Sequence, residues 1–328
     1  MLEGADSVPD HHRPGGGFRN PWGDGIPAGF RSFLKWRLER MRTALPSDPD
    51  PSELPSTTPA FDRPRAAHTR LTVTWVGHST FLLQIGGLNL LTDPVWSERA
   101  SPVPWAGPKR WVPPGISLNQ LPAIDAVVLS HDHYDHLDDA TVCRLEARDP
   151  GARWFVPIGL GNWLRARGIH EITELDWWGE AAFDSLMIRC APAQHFSGRW
   201  PWGRDRTLWC SWSLSSASHR LYFGGDSGYH PEFAQIAERC GPFDVALMPI
   251  GAYEPRWFMR PVHMAPEEAV RAAVDLGGPR LVPMHWGTFK FTDEPMDEPP
   301  QRARAAWLAA GQPEERFCQL RFGETLVI

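Results

Sequence analysis

Residues 127–139 read VVLSHDHYDHLDD, and within them His131, His133, Asp135 and His136 fall in the pattern H-x-H-x-D-H directly behind an apolar run. Imidazole nitrogens and carboxylate oxygens suit a borderline divalent cation such as Zn2+, and alternate positions on extended chain turn His131 and His133 to one side. One ion would use only some of these groups, so the surplus points to two ions sharing a loop. Three more candidates close apolar runs in the same manner: His195 ends MIRCAPAQH, Asp226 ends RLYFGGD and His285 ends RLVPMH. Strand ends on one edge of a sheet converge in a cleft although they are distant in sequence. Asp93, closing LNLLTDP, is placed to accept a hydrogen bond from a ligand histidine and fix its orientation. Taken singly, His195 and His285 would more often be hydrogen-bonded core residues and Asp226 a turn former. The repeated placement raises all three together.

The other histidines divide by context. His11 and His12 sit in a polar, glycine-rich arm where solvation or disorder is expected. His78 in VGHST and His263 in PVHMAPEEA are candidates for steadying a ligand or facing a substrate, with packing the competing role. Tyr134, inside the histidine loop, is a candidate for a pocket rim.

The elements that must position these residues alternate from Leu71 onward. LTVTWVG, TFLLQI and LNLLTDP read as strands, the last two joined by the Gly86-Gly87 turn of a hairpin. IDAVVLS, RWFVPIG, SLMIRCAPAQHF, TLWCSWSL, RLYFGGD, DVALMPIGAY, RLVPMHWG and LRFGETLVI supply further strands. Helices are expected after Asp139, over LGNWLRARG, over PEFAQIAERC and over APEEAVRAAVDLG, where Pro266 opens the first turn and Gly277 follows the end. Sheet layers covered by helices follow, in one domain over 69–328. Residues 1–68 read as an arm: Pro/Gly/polar stretches at 1–29 and 46–68 bracket a basic amphipathic helix near 30–45. Phe30, Phe33, Leu34, Leu38, Met41 and Leu45 form its apolar stripe, and Arg31, Lys35, Arg37, Arg40 and Arg42 stand against Glu39. At about 1 kcal/mol per basic residue near anionic lipid, that helix would contribute a few kcal/mol of membrane adsorption. Packing on the main domain or on a partner is the equal alternative.

Composition bounds the function. A formal charge of −6 gives no broad attraction to nucleic acid, so no nucleic-acid partner is expected. Five cysteines, odd in number and without a C-x-x-C pair, read as reduced thiols. The first thirty residues lack the apolar core of a secretory signal, and no stretch approaches the roughly 20 apolar residues of a membrane span. A cytoplasmic protein, peripheral on the inner face of the membrane, is the expectation, with a homodimer as the base-rate assembly.

The histidine loop followed by a later His, Asp and His resembles the metallo-β-lactamase superfamily. The motifs SERASPVPWAGPKR, HDHYDHLD, RWFVPIGL, ELDWWGE, GPFDVALMPIGAYEPRWFM, PEEAVR and MHWGTF resemble, in order from about Leu71 to Thr288, its N-acylphosphatidylethanolamine-hydrolysing phospholipase D group. That resemblance implies an α+β fold, the αβ/βα four-layer sandwich with a dinuclear site at the sheet edge, and two Zn2+ per chain. It assigns His131, His133 and His195 to one ion, Asp135, His136 and His285 to the other, and Asp226 between them, with Asp135 and Asp226 as the catalytic acids. The implied reaction is phospholipase D-type cleavage of N-acylphosphatidylethanolamine, by a metal-bridging hydroxide, to N-acylethanolamine and phosphatidic acid. Arg256 and Lys290 are candidates for the phosphodiester's charge, a salt bridge to Glu254 being the competing role for Arg256. The chain's 17 tryptophans, Trp177, Trp178, Trp257 and Trp286 among them, would line an acyl groove or pack the core.

Two other functions compete. The same site would serve a lactonase, or a hydrolase of another small ester or phosphodiester. A metal-binding membrane adaptor without turnover is the alternative of another class, and an Asp226 shared between ions argues against it, because a purely structural site has no need of it.

Overall fold

Strands buried on both faces read as unbroken apolar runs, and two sheets of that kind form the centre of the molecule. The structure, a computed structural model, describes residues 9–22, 30–199 and 203–328. Strands β1 (Thr72–Gly77), β2 (Thr80–Ile85) and β3 (Leu88–Thr92) pair antiparallel. Strands β4 (Ala126–Val128), β5 (Arg153–Pro157) and β6 (Ile172–Leu175) continue the same sheet in parallel. The second sheet repeats that scheme. Strands β7 (Glu180–Phe183), β8 (Leu186–Ala191), β9 (Ser211–Ser215) and β10 (Arg220–Phe223) run antiparallel, and β11 (Val245–Pro249) and β12 (Arg280–Met284) follow in parallel. A last strand, β13 (Thr325–Val327), returns to pair antiparallel with β1.

Side-chain alternation sorts the apolar residues into two cores. In β4, Ala126 and Val128 join the core between the sheets, which also holds Trp75, Phe81, Ile188 and Trp212. Val127 points the other way, with Leu82, Leu91 and Trp154, to meet Val142, Leu145 and Leu164. Those last three belong to α2 (Asp139–Arg148) and α3 (Gly161–Arg165), which cover the outer face of the first sheet. At about 1.5–3 kcal/mol for each fully buried aliphatic or aromatic side chain, this double burial is the main term that fixes the strand register. Beyond the second sheet, after the one-turn α5 (Arg256–Met259), α6 (Pro266–Asp275) lies against β11, with α4 (Phe233–Cys240) and α7 (Glu298–Ala309) at its sides. The fold is thus the α+β sandwich expected from the sequence.

The differences from expectation have local causes. Strands β6 and β7 are only four residues long and lie at sheet ends, so no alternation is long enough to announce them. Helix α7 opens on Glu298-Pro299-Pro300, where two prolines occupy positions whose N–H groups have no helical partner.

The basic helix forms as α1 (Phe30–Arg40), five residues shorter than expected, and turns another face to the protein. Trp36 is the anchor: it is 7% exposed, stacks on Phe258 at 5.6 Å and donates Nε1–H to Asp293 at 2.8 Å. Phe33, Leu34, Leu38 and Met41, expected to pack together, are 46%, 46%, 41% and 75% exposed. The side chain of Phe30 lies outside the described residues, as do residues 1–8 and 23–29 of the expected arm. The stretches expected as linkers are fastened to the body: Thr57 N–H donates to Phe322 O at 2.8 Å, and Arg65 pairs with Asp125 at 2.7 Å. Among the described residues no helix is long and apolar enough to cross a membrane.

Candidate metal centre and its cavity

Each candidate ligand follows the end of a strand, and the residues that support them follow a strand or fill a turn. Asp93 follows β3, His131 to His136 follow β4, His195 follows β8, Asp226 follows β10, His285 follows β12, and His78 sits in the β1–β2 turn. Among the described residues, four of the seven non-glycine residues with left-handed φ are here: His78 at 55°, Asp93 at 33°, Ala252 at 61° and His285 at 63°. Such backbone costs about 1–3 kcal/mol per residue and persists where surrounding bonds hold it. Here Thr288 Oγ1 accepts from His78 N–H at 2.7 Å, and His78 O accepts from His285 N–H at 3.2 Å. Gly225 lets the Asp226 strand end approach the loop, since a Cβ there would meet Ser130 Cβ at 2.5 Å.

Two groups of ligand atoms result. His131, His133 and His195 form one; Asp135, His136 and His285 form the other, with His78 beside them. Asp226 Oδ2 lies between: 3.1 Å from His285 Nε2, 3.2 Å from His136 Nε2, 3.8 Å from His195 Nε2 and 3.9 Å from His131 Nε2. His263 Nε2 is also 3.9 Å from this oxygen, and His78 Nε2 is 2.9 Å from Asp135 Oδ2.

The supporting bonds explain the orientation. Asp93, fully buried, accepts from His136 Nδ1–H at 2.6 Å, from Ser130 N–H at 2.7 Å and from Ser130 Oγ–H at 2.5 Å. Ser130 Oγ also meets His131 Nδ1 at 2.8 Å, so one carboxylate steadies a histidine in each group. His195 Nδ1–H donates to the Val262 carbonyl at 2.9 Å. Arg199 clamps the loop from outside, donating Nη1–H to Asp132 O at 2.9 Å and Leu137 O at 2.6 Å. Neither Ser130 nor Arg199 stands out in the sequence. A side chain bonded to main-chain groups leaves no spacing pattern, and only Ser130's place between the strand and the first histidine could have marked it.

Electrostatics favour cation binding. Burial holds His78, His195 and His263 down to about 3 and His133 to about 4, so these imidazoles are neutral at physiological pH, the form in which the ring can bind a cation. Burial also opposes charge on His136 and His285, but Asp226 and Asp135 outweigh it; they raise His285 to about 9 and His136 well above the ordinary range. His136 Nε2, His285 Nε2 and Asp226 Oδ1 are buried without a hydrogen-bond partner. An unsatisfied buried group costs about 1–3 kcal/mol, and a cation shared by these atoms is the chemistry that satisfies them. The donor set therefore fits the metal that the fold implies. An entering ion must expel the protons of His136 and His285. Apparent affinity is accordingly expected to rise with pH toward about 9, the value of His285, with proton release on binding near neutrality. Calorimetry in buffers of different ionisation enthalpy measures that release, and a pH-independent affinity would contradict it.

A cavity of about 270 Å³ opens over the centre. His133, Asp135, Asp226, His263 and His285 line its polar side, and Phe33, Trp36, Phe196, Phe258, Met259 and Phe291 its apolar walls. Three sequence candidates stand elsewhere. Tyr134 donates its hydroxyl to Arg199 O at 2.8 Å and lines a separate cavity with Trp163 and Arg167, because its neighbours in the loop turn the opposite way to bind. Arg256 pairs with Glu268 at 2.6 Å, and its Nη1–H donates to His263 O at 3.0 Å, so it braces the His263 turn. Its partner is Glu268 rather than Glu254, which accepts from the Arg256 main-chain N–H at 3.1 Å. Lys290 pairs with Asp48 at 2.6 Å. His11 and His12, expected to be solvated, are held at Asp176. Of the four tryptophans singled out, Trp177 and Trp286 are buried and Trp257 is 39% exposed; none of the four lines this cavity among the described residues.

This arrangement of sheets and ligand groups is that of a known class. A family model for the beta-lactamase superfamily domain matches residues 88–286, and the chain belongs to that superfamily. It is 40% identical over 290 residues to N-acyl-phosphatidylethanolamine-hydrolyzing phospholipase D 1 of Caenorhabditis elegans, covering 83% of this chain and 81% of that one. It is 48% identical over 288 residues to Rv0906 of Mycobacterium tuberculosis, covering 86% and 74%. Among solved structures, the metallo hydrolase Igni18 of Ignicoccus hospitalis superposes with a TM-score of 0.61 at 26% identity, covering 79% of this chain and 99% of that one.

Proposed function

We propose that this metal-dependent hydrolase of the beta-lactamase superfamily is a dinuclear zinc phosphodiesterase of phospholipase D type, cleaving N-acylphosphatidylethanolamine to N-acylethanolamine and phosphatidic acid. The observation that carries the reading is the cavity: acyl-compatible aromatic and methionine walls stand directly over a floor of carboxylates and imidazoles. The similarity to the Caenorhabditis elegans phospholipase D supports the same substrate class.

His131, His133 and His195 would hold one ion, Asp135, His136 and His285 the other, and Asp226 would touch both. Bound there, such ions lower the pKa of water and neutralise charge that builds on phosphoryl oxygens. The chain's own groups do the rest. Asp93 and Ser130 fix the rings of His136 and His131, so ligand geometry is set before substrate arrives. The apolar walls exclude water around the scissile bond and orient the acyl portion. His263 is uncharged and lines the cavity with its Nε2 3.9 Å from Asp226 Oδ2, so its ring would face the bound substrate beside the centre.

Helix α1 belongs to the same reading. Phe33 and Trp36 line the cavity, while exposed Leu34, Leu38 and Met41 lie among exposed Arg31, Lys35 and Arg37. That face is proposed to meet an anionic lipid surface, which would bring the cavity mouth to its substrate. Trp36→Ala is expected to raise KM for a long-chain substrate about tenfold, equal to about 1.4 kcal/mol, with kcat little changed. A fall in kcat at unchanged KM would contradict a substrate-holding role.

The deciding experiment incubates metal-loaded protein with N-acylphosphatidylethanolamine vesicles and with a lactone panel, and reads products by mass spectrometry. Release of N-acylethanolamine with phosphatidic acid supports the proposal. Lactone opening alone would replace it with the lactonase reading, and binding of metal and vesicles without turnover would favour the adaptor.

A further inference from the structure

We propose that His11, His12 and Asp176 form a separate site for a divalent cation of the zinc or cobalt type, which fastens the amino-terminal arm beside the candidate centre. His11 Nε2 lies 2.7 Å from Asp176 Oδ1, and His12 Nε2 lies 2.7 Å from Asp176 Oδ2. All three ligand atoms fall within 4.8 Å of one another, although the residues stand 164 and 165 positions apart in the chain. Two imidazole nitrogens with one carboxylate suit Zn2+ and Co2+, whereas Mg2+ and Ca2+ favour oxygen alone. The rings are set independently of any ion. His11 is buried and stacks on Trp177 at 4.2 Å, and His12 meets the edge of Phe18 at 5.0 Å. Ligands already held in place lose little entropy on binding. His12 and Asp176 are partly exposed, which leaves a coordination position open to water and makes the site exchangeable.

The arm's path gives the site a consequence. Gly15, Gly16 and Gly17, with φ of 91°, 99° and 85°, reverse the chain so that His12 bridges to Phe18. A few residues on, Asn20 donates Nδ2–H to the main-chain oxygen of His195 at 2.8 Å and accepts from Trp209 Nε1–H at 3.1 Å. An ion at the outer site therefore ties down the strap that buttresses a candidate ligand of the centre. The acid on which the strap closes, Asp176, lies in ELDWWGE, one of the stretches that carry the family resemblance.

The test uses the full chain and Co2+ alone as the probe. Chelator-stripped protein is titrated and counted by native mass spectrometry, beside a His11→Asn, His12→Asn double variant and Asp176→Asn. The wild-type protein is expected to bind one equivalent more than either variant. That equivalent should quench tryptophan emission, because Trp177 stacks on His11, and should slow amide exchange across residues 9–22. Equal stoichiometry in all three proteins, with circular dichroism unchanged, overturns the proposal and leaves the trio a hydrogen-bonded strap. Quenching and exchange that respond equally to Co2+ in wild type and variants overturn it as well. The count does not depend on which substrate the centre takes.

Discussion

Replacing Asp226 by alanine is expected to leave a folded protein that has lost most of its metal and about 10³-fold of its turnover. Asp226 Oδ2 stands within 4 Å of nitrogens from both ligand groups, 3.1 Å from His285, 3.2 Å from His136 and 3.8 Å from His195. Metal-assisted charge stabilisation is worth several kcal/mol, and each factor of ten in rate takes about 1.4 kcal/mol, which sets the size of the effect. The fold should survive because the acid lies beyond the end of β10 and anchors no core strand. Without it, His136 and His285 lose one of the charges that hold their protons while Asp135 stays beside them, so no uncompensated cation is left behind. Metal analysis by plasma mass spectrometry and turnover of a chromogenic phosphodiester measure both halves. Activity within tenfold of wild type would refute the placement of Asp226 between two ions.

Asp93→Ala is expected to be the more damaging change to stability, by about 3–5 kcal/mol. The carboxylate is fully buried and accepts three hydrogen bonds, from His136 Nδ1–H, Ser130 N–H and Ser130 Oγ–H. Removing one partner of a buried charged pair strands the other, which is where that magnitude arises. Asp93→Asn keeps the volume and should be milder in stability, yet weaken metal affinity by about 10–100-fold through misdirected ligands. Urea unfolding of the metal-free protein and chelator competition on the loaded one separate the two effects. An unchanged unfolding midpoint for Asp93→Ala would remove Asp93 from its supporting role.

The ligand candidates were legible because each stands at or just beyond the end of an apolar run, and a strand that must be buried ends where its chemistry begins. His131, Asp226 and His285 share that grammar. Spacing does not show which groups share an ion, since that depends on how the two sheets face each other. Nearness in sequence misleads at Tyr134, whose neighbours Asp135 and His133 face the cavity while it faces Arg199. Periodicity misleads at α1 for a related reason: the stripe from Phe33 to Met41 is the longer apolar face, but a single indole, Trp36, has both the area and the donor that Phe258 and Asp293 can use. Arg199 and Asn20 work through main-chain carbonyls, so no pattern of side-chain types could announce them.

Both sheets supply candidate ligands: His131, His133, Asp135 and His136 leave the first, and His195, Asp226 and His285 leave the second. The centre therefore exists only when the halves have closed on each other, and a bound ion acts as a keystone for that closure. Metal concentration then sets the resistance of the whole sandwich to opening, because anything that binds only the closed form stabilises it in proportion to the logarithm of its excess over Kd. The same dependence orders folding: local hairpins such as β1–β2–β3 form from near neighbours, whereas the ligand groups meet across long separations in the chain and so come together late. A chain caught before that step would carry finished strands and an empty centre, and scarcity of metal would be felt first as slow maturation rather than as weak catalysis.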